Sequence, residues 1–308
     1  MGEDRRLHRG RALRRPGPAG GQGHRHRHPD PVQGLQEVGP GLIPRLLSLL
    51  TLIAGLALGA DAPAQAAGPF GDWAAIVVAG DWKAHSGAPS DVFDNARHDV
   101  GQALLSAGFS PANLREFSTR PDRFGADKPL KADIETIVGQ LTELTDKAKS
   151  GCLVYFTSHG SPDGIVVGDH IWRPAGLGKL IDQTCGQRPT IAIISACFSG
   201  VFVPELDGPD RMVLTAARPD RASFGCGEAD HYTFFDTCLL QSLPQTHDFA
   251  ALGPAVQACV AKREADLRAA PASEPQCKIG ATLRPMLPLY RYTTPAPMTG
   301  SGRNSNSG

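Results

Sequence analysis

The sequence predicts an α/β fold: a three-layer sandwich with a mostly parallel central sheet and helices on both faces. Three observations predict it. Runs that are apolar throughout, such as Cys152-Leu-Val-Tyr-Phe156 and Ile191-Ala-Ile-Ile194, lack the alternation of a half-exposed strand and suit strands buried on both faces. Longer segments with apolar residues at helical spacing separate these runs, which supplies the crossovers that parallel pairing requires. No shift in composition interrupts residues 69–290, so 67–292 is expected to form one domain.

The elements follow in order. Residues 74–79 form the first strand. Residues 91–107 form a helix with Ser90 as N-cap, a stripe of Val92, Ala96, Val100, Ala103, Leu104 and Ala107 facing the core, and Gly108 ending it. A strand at 114–117 precedes a second helix at 130–149, whose Ile134, Ile137, Val138, Leu141 and Leu144 face inward. The third strand, 152–158, leads into a small hairpin of 164–168 and 170–172. A helix at 175–184 and strands at 190–196 and 212–216 complete the sheet. Residues 232–267 read as two helices around Pro244, followed by a proline-rich close and a disordered polar tail at 293–308.

The N-terminal region reads differently. The apolar run 46–58 follows Arg45 and ends in small residues through Ala64-Gln65-Ala66, the pattern of a signal peptide over 46–66 with a mature start near Ala67. Its 13 residues at 1.5 Å each fall short of a hydrocarbon core of about 30 Å, and nothing later is apolar enough to span. An exported protein, periplasmic or secreted, without a membrane span in the mature chain is expected. Residues 1–45, rich in Arg, Gly, Pro and His, read as a doubtful leader, with Val32 or Val38 as alternative starts. The His24, His26 and His28 tract lies in that leader, so no metal site is assigned to it. Paired arginines at 5 and 6 and at 14 and 15 stand too far before the apolar run for twin-arginine export.

The chain balances 31 basic against 31 acidic residues, but nine of the former and only five of the latter fall in residues 1–66. The remainder carries 22 basic against 26 acidic residues, without the basic surface that a nucleic-acid binder needs. All seven cysteines (152, 185, 197, 226, 238, 259, 277) lie in the mature part, so at least one is unpaired. Cys197 is the expected free thiol. The other six could make up to three bridges, with plain burial the alternative for some, Cys152 especially, and at least one disulfide is expected among Cys185, Cys226, Cys238, Cys259 and Cys277.

Ligand crevices of open parallel sheets lie beyond the carboxyl ends of the strands. Two strands end there in chemically loaded residues: Phe156-Thr-Ser-His159-Gly160 and Ile193-Ile-Ser-Ala-Cys197-Phe-Ser-Gly200. One helix separates them, and a single right-handed crossover makes the strands near neighbours. A thiol with a pKa near 8.5 is about a few per cent ionised at neutral pH, so acyl transfer needs a base that takes its proton and later protonates the leaving amine. Cys197 as nucleophile and His159 as acid/base supply both halves. The amides of Gly160 and Cys197 are the candidate oxyanion donors.

Thr157-Ser-His159-Gly160 followed by Ser195-Ala-Cys197-Phe-Ser-Gly200 resembles the legumain-type cysteine peptidase family, within the caspase-like superfamily, over roughly residues 73–245. The resemblance implies a caspase-like fold, hydrolysis of peptide bonds in peptide or protein substrates through an acyl-enzyme, and no cofactor. Ala216-Ala-Arg218 leading to Ser223-Phe-Gly225 resembles the family's specificity-pocket stretch, which implies substrate-binding roles for Ser223, Asp236 and Ser195. Two features depart from the family: Ser195 stands where legumains have Glu, and Arg97-His98 lies several positions late for their pocket Arg-His pair.

Asp169-His170 reads as a solvated turn, and Gly80-Asp-Trp82 as a loop that sits at the active edge. No Gly-x-Ser-x-Gly elbow, Gly-x-Gly-x-x-Gly or Walker pattern is present, which removes support for a serine hydrolase or nucleotide binder. The rivals are a caspase-like binding module without activity and a transpeptidase or ligase using the same dyad.

Overall fold

Trp73–Ala79 (β1) carries no charged or hydroxylated side chain, and all seven residues are buried in the computed structural model, which describes residues 68–125 and 128–292. Successive side chains go to opposite faces. Trp73, Ala75 and Val77 join one core and Ala74, Ile76 and Val78 the other. Gly151–Thr157 (β4) and Thr190–Ser195 (β8) divide in the same way, Leu153, Tyr155, Ile191 and Ile193 to the first core and Val154, Phe156, Ala192 and Ile194 to the second. Two cores on one sheet make three layers, as the unbroken apolar runs require.

The remaining elements are α1 (Val92–Ser106), β2 (Leu114–Ser118), β3 (Leu130–Lys131), α2 (Ile134–Lys147), β5 (Gly160–Ser161), β6 (Gly164–Val167), β7 (His170–Trp172), α3 (Pro174–Thr184), α4 (Val203–Leu206), β9 (Arg211–Thr215), α5 (Phe234–Ser242), α6 (Phe249–Leu267) and β10 (Gln276–Ile279). The main sheet runs β10-β9-β8-β4-β1-β2-β3, parallel except for β10, while β5, β6 and β7 form a small antiparallel sheet. Helices α1, α5 and α6 contribute to the first core, and α2, α3 and α4 to the second.

Helix ends show where local chemistry decides. The Asp133 carboxylate caps α2 by accepting from the Thr136 amide at 2.8 Å, and Asp248 caps α6 through the Ala251 amide at 2.8 Å. The second helix therefore begins at Ile134, and Leu130–Lys131, expected inside it, pairs with β2 as an edge strand. Asp91 rather than Ser90 occupies the N-cap of α1, and its carboxylate is drawn away by ion pairs with Arg120 at 2.8 Å and with Arg123. The proline-rich close contains β10, whose Gln and Lys gave no strand signal and which pairs with β9 only through the returning chain.

Two disulfides cross-link the fold, Cys152–Cys185 tying β4 to the end of α3 in the next layer, and Cys238–Cys259 tying α5 to α6 within one layer. Of the two readings open to Cys152 the bridge holds; Cys197, Cys226 and Cys277 are free. No helix among the described residues is long and apolar enough to cross a membrane. The leader 1–45, the segment 46–66 and the tail 293–308 lie outside the described residues.

Candidate active site

Strands β4 and β8 are direct neighbours, with Thr157 paired to Ser195 and the Ser158 amide donating to the Ser195 carbonyl at 3.1 Å. His159 stands two residues beyond Thr157 and Cys197 two residues beyond Ser195. Equal offsets from a paired position bring both out of the sheet together at its carboxyl edge. Gly160 seals the approach: a Cβ there would lie 2.2 Å from the Cys197 carbonyl oxygen and 2.9 Å from the Ala196 Cβ. Only glycine lets the two strand ends meet this closely.

The chain after Cys197 turns sharply. Phe198 adopts φ 57°, a left-handed conformation that costs a residue with a Cβ about 1–3 kcal/mol, and its amide donates to the Arg221 carbonyl at 2.8 Å. Ser199 Oγ accepts from the Ala217 amide at 3.1 Å. These bonds pin the turn to the loop after β9, and that loop supplies the thiol's neighbours. The Ser223 amide donates to Cys197 Sγ at 3.3 Å, and Ser223 Oγ stands 3.5 Å from it. The thiol in turn faces the Ser223 carbonyl oxygen at 3.6 Å, so backbone and side chain of one residue hold the sulfur in place.

His159 Nε2 lies 2.9 Å from the Lys83 carbonyl oxygen. A carbonyl can only accept, so Nε2 carries the proton and Nδ1 of the neutral ring is the free base. Phe93 meets the ring edge to face, with centroids 5.0 Å apart. The Lys83 carbonyl thus fixes both tautomer and orientation. It was invisible to a reading of side chains because any residue supplies the same group. Lys83 belongs to the loop after β1, where Asp81 and Trp82 line a cavity of about 560 Å³ together with Asp169 and His170. Among the described residues no cluster of His, Cys, Asp and Glu could hold a metal.

The expected pocket residues separate. Ser223 is beside the thiol. Ser195 is almost wholly buried, its Oγ 3.3 Å from Thr233 Oγ1. Asp236, in the first turn of α5, is 0% exposed and offers no surface to a substrate. Its carboxylate accepts from Tyr155 Oη at 2.7 Å, Thr157 Oγ1 at 2.7 Å and Thr233 Oγ1 at 2.9 Å. Burial pushes its pKa up, and the hydroxyls of Tyr155, Thr157, Ser195 and Thr233 pull it back. Arg97 is also buried, paired with Asp94 at 3.2 Å and with Glu116. Cys226, unmarked by the sequence as a neighbour of the site, packs with Ala79, Val92 and Phe93. Burial foremost, then the adjacent Cys197, pushes its thiol up to about 11.

Residues 123–258 match the model of the Peptidase C13 family, a segment that includes both strand ends and the loop bearing Ser223. Among solved structures, caspase-1 from Spodoptera frugiperda is similar at a TM-score of 0.50 and 15% identity, over 69% of this chain and 88% of that one, a likeness of fold. No curated protein matches the chain.

Proposed function

We propose that this legumain-like, cysteine-type peptidase hydrolyses peptide bonds through an acyl-enzyme on Cys197, with His159 as acid and base. The observation that carries the reading is the pairing of Thr157 with Ser195, sealed by Gly160, which sets His159 and Cys197 at equal steps beyond one sheet edge. His159 Nδ1 takes the thiol proton as Sγ attacks the carbonyl carbon of the substrate. The Ser223 amide, 3.3 Å from Sγ, positions the sulfur before attack. The amides of Gly160 and Cys197 receive the oxyanion of the tetrahedral intermediate. His159, now carrying two ring protons, gives one to the departing amine, and the Lys83 carbonyl holds the ring in place throughout. Water, deprotonated by the same Nδ1, then releases the acid and restores the thiol. Ser223 is the proposed contact for the side chain that precedes the cleaved bond.

Export is part of the proposal, supported by the apolar run 46–58 after Arg45 and the small residues before Ala67. A digest of a peptide library tests the chemistry. Wild type should cleave and Cys197→Ala should not, while His159→Ala should lose about 100- to 10,000-fold in kcat. Products joined to an added amine would show that the acyl-enzyme is intercepted by aminolysis. Full activity of Cys197→Ala would end the proposal.

A further inference from the structure

Asp236 has no solvent exposure, although it sits at the third position of α5, where a capping box would turn the acidic side chain back to the N-cap amide. Half of a capping box is present: Thr233 Oγ1 accepts from the Asp236 amide at 3.0 Å. The carboxylate reaches further than the box needs. It takes hydrogen bonds from two residues of the sheet, Tyr155 and Thr157, which lie on one face of β4 at positions i and i+2. Through Thr233 Oγ1, shared with Ser195 Oγ at 3.3 Å, it also reaches the end of β8. The rest of this helix face is apolar, with Phe235, Cys238 and Leu239 in the core.

Burying a carboxylate in such a place costs several kcal/mol before its hydrogen bonds are counted, and an apolar side chain of equal volume would pack at no such cost. The helix N-terminus offsets part of that cost. What the carboxylate does that a leucine cannot is join three hydroxyls, two of them on the residues paired across β4 and β8 or one bond removed from them. Thr157 is two residues before His159, and Ser195 two before Cys197.

We propose that Asp236 is a positioning residue for the dyad: its carboxylate clamps the paired ends of β4 and β8, so that His159 and Cys197 leave the sheet at a fixed separation. The assignment rests on the dyad reading above. It gives Asp236 a role beneath the reacting atoms instead of at the substrate side chain, and it makes Ser195 a member of the same clamp. Because the clamp acts on the alignment of two groups already in place, its loss should lower kcat and leave KM unchanged.

Two near-isosteric variants test it, Asp236→Asn and Thr157→Val, each measured per active site titrated with an electrophilic peptide. Asp236→Asn turns an acceptor toward the hydroxyls into an amide donor, and kcat should fall about 100-fold, the typical effect of about 1 Å of misplacement. Thr157→Val removes the one donor nearest His159 and should cost about 10-fold, with KM within about twofold of wild type in both. A residue that only stabilises the fold would lower the melting temperature of each variant while kcat per titrated site stayed at the wild-type value, and that result in both variants would overturn the inference. Wild type that neither turns over peptides nor takes the label would instead remove the dyad reading itself.

Discussion

Replacing Gly160 by alanine tests whether the contact between the two strand ends sets the rate. The added Cβ would lie 2.2 Å from the Cys197 carbonyl oxygen, 2.9 Å from Ala196 Cβ and 3.3 Å from the Cys197 carbonyl carbon. A carbon and a carbonyl oxygen rest at about 3.3 Å or more, so one strand end must retreat by about 1 Å. Two of the obstructing atoms are backbone and the third is a Cβ fixed to it, so none can rotate aside. A displacement of that size between nucleophile and base costs about 100-fold in rate, or about 2.7 kcal/mol of transition-state stabilisation. Overpacking should also lower stability by about 1–3 kcal/mol. The Gly160 amide survives the substitution, so the loss would report geometry and not a missing oxyanion donor. The assay is kcat/KM per titrated site, with thermal unfolding measured alongside. A variant within threefold of wild type would refute the reasoning, because it would show that the strand ends can part without moving the dyad.

Other expectations follow from the cysteines and from the N-terminal segment. At pH 7 an electrophilic peptide should label Cys197 alone, since burial pushes Cys226 up to about 11 and raises Cys277 as well, which lowers the thiolate fraction of both; mass mapping of the adduct on Cys226 would contradict this. Non-reducing peptide mapping should recover Cys152 with Cys185 and Cys238 with Cys259. Separations of 33 and 21 residues imply about 3–4 kcal/mol from each in the chain-entropy account, which reduction should remove from the unfolding free energy. N-terminal sequencing of protein from the native cell should begin at or near Ala67, and a cytosolic species retaining residues 46–66 would count against export.

What the sequence by itself determined is the layer architecture and the placement of His159 and Cys197 just beyond the ends of two strands. Val154, Ile193 and their neighbours are apolar on both sides of the pleat, so the strands had to be covered on both faces, and parallel order then followed from the intervening helices. His159 and Cys197 were legible because each follows directly on such a run. Tertiary structure alone decided what surrounds them. The Lys83 carbonyl carries no sequence signal, being backbone. Asp236 at a helix start looks the same in sequence whether its carboxylate meets water, substrate or Tyr155, because those partners stand some eighty positions away in the chain. The pairing of Cys152 with Cys185, and the polar strand β10 completing the sheet against β9, depend likewise on segments that only the folded chain brings together. Periodicity records which face of an element is buried; it does not record what is buried against it.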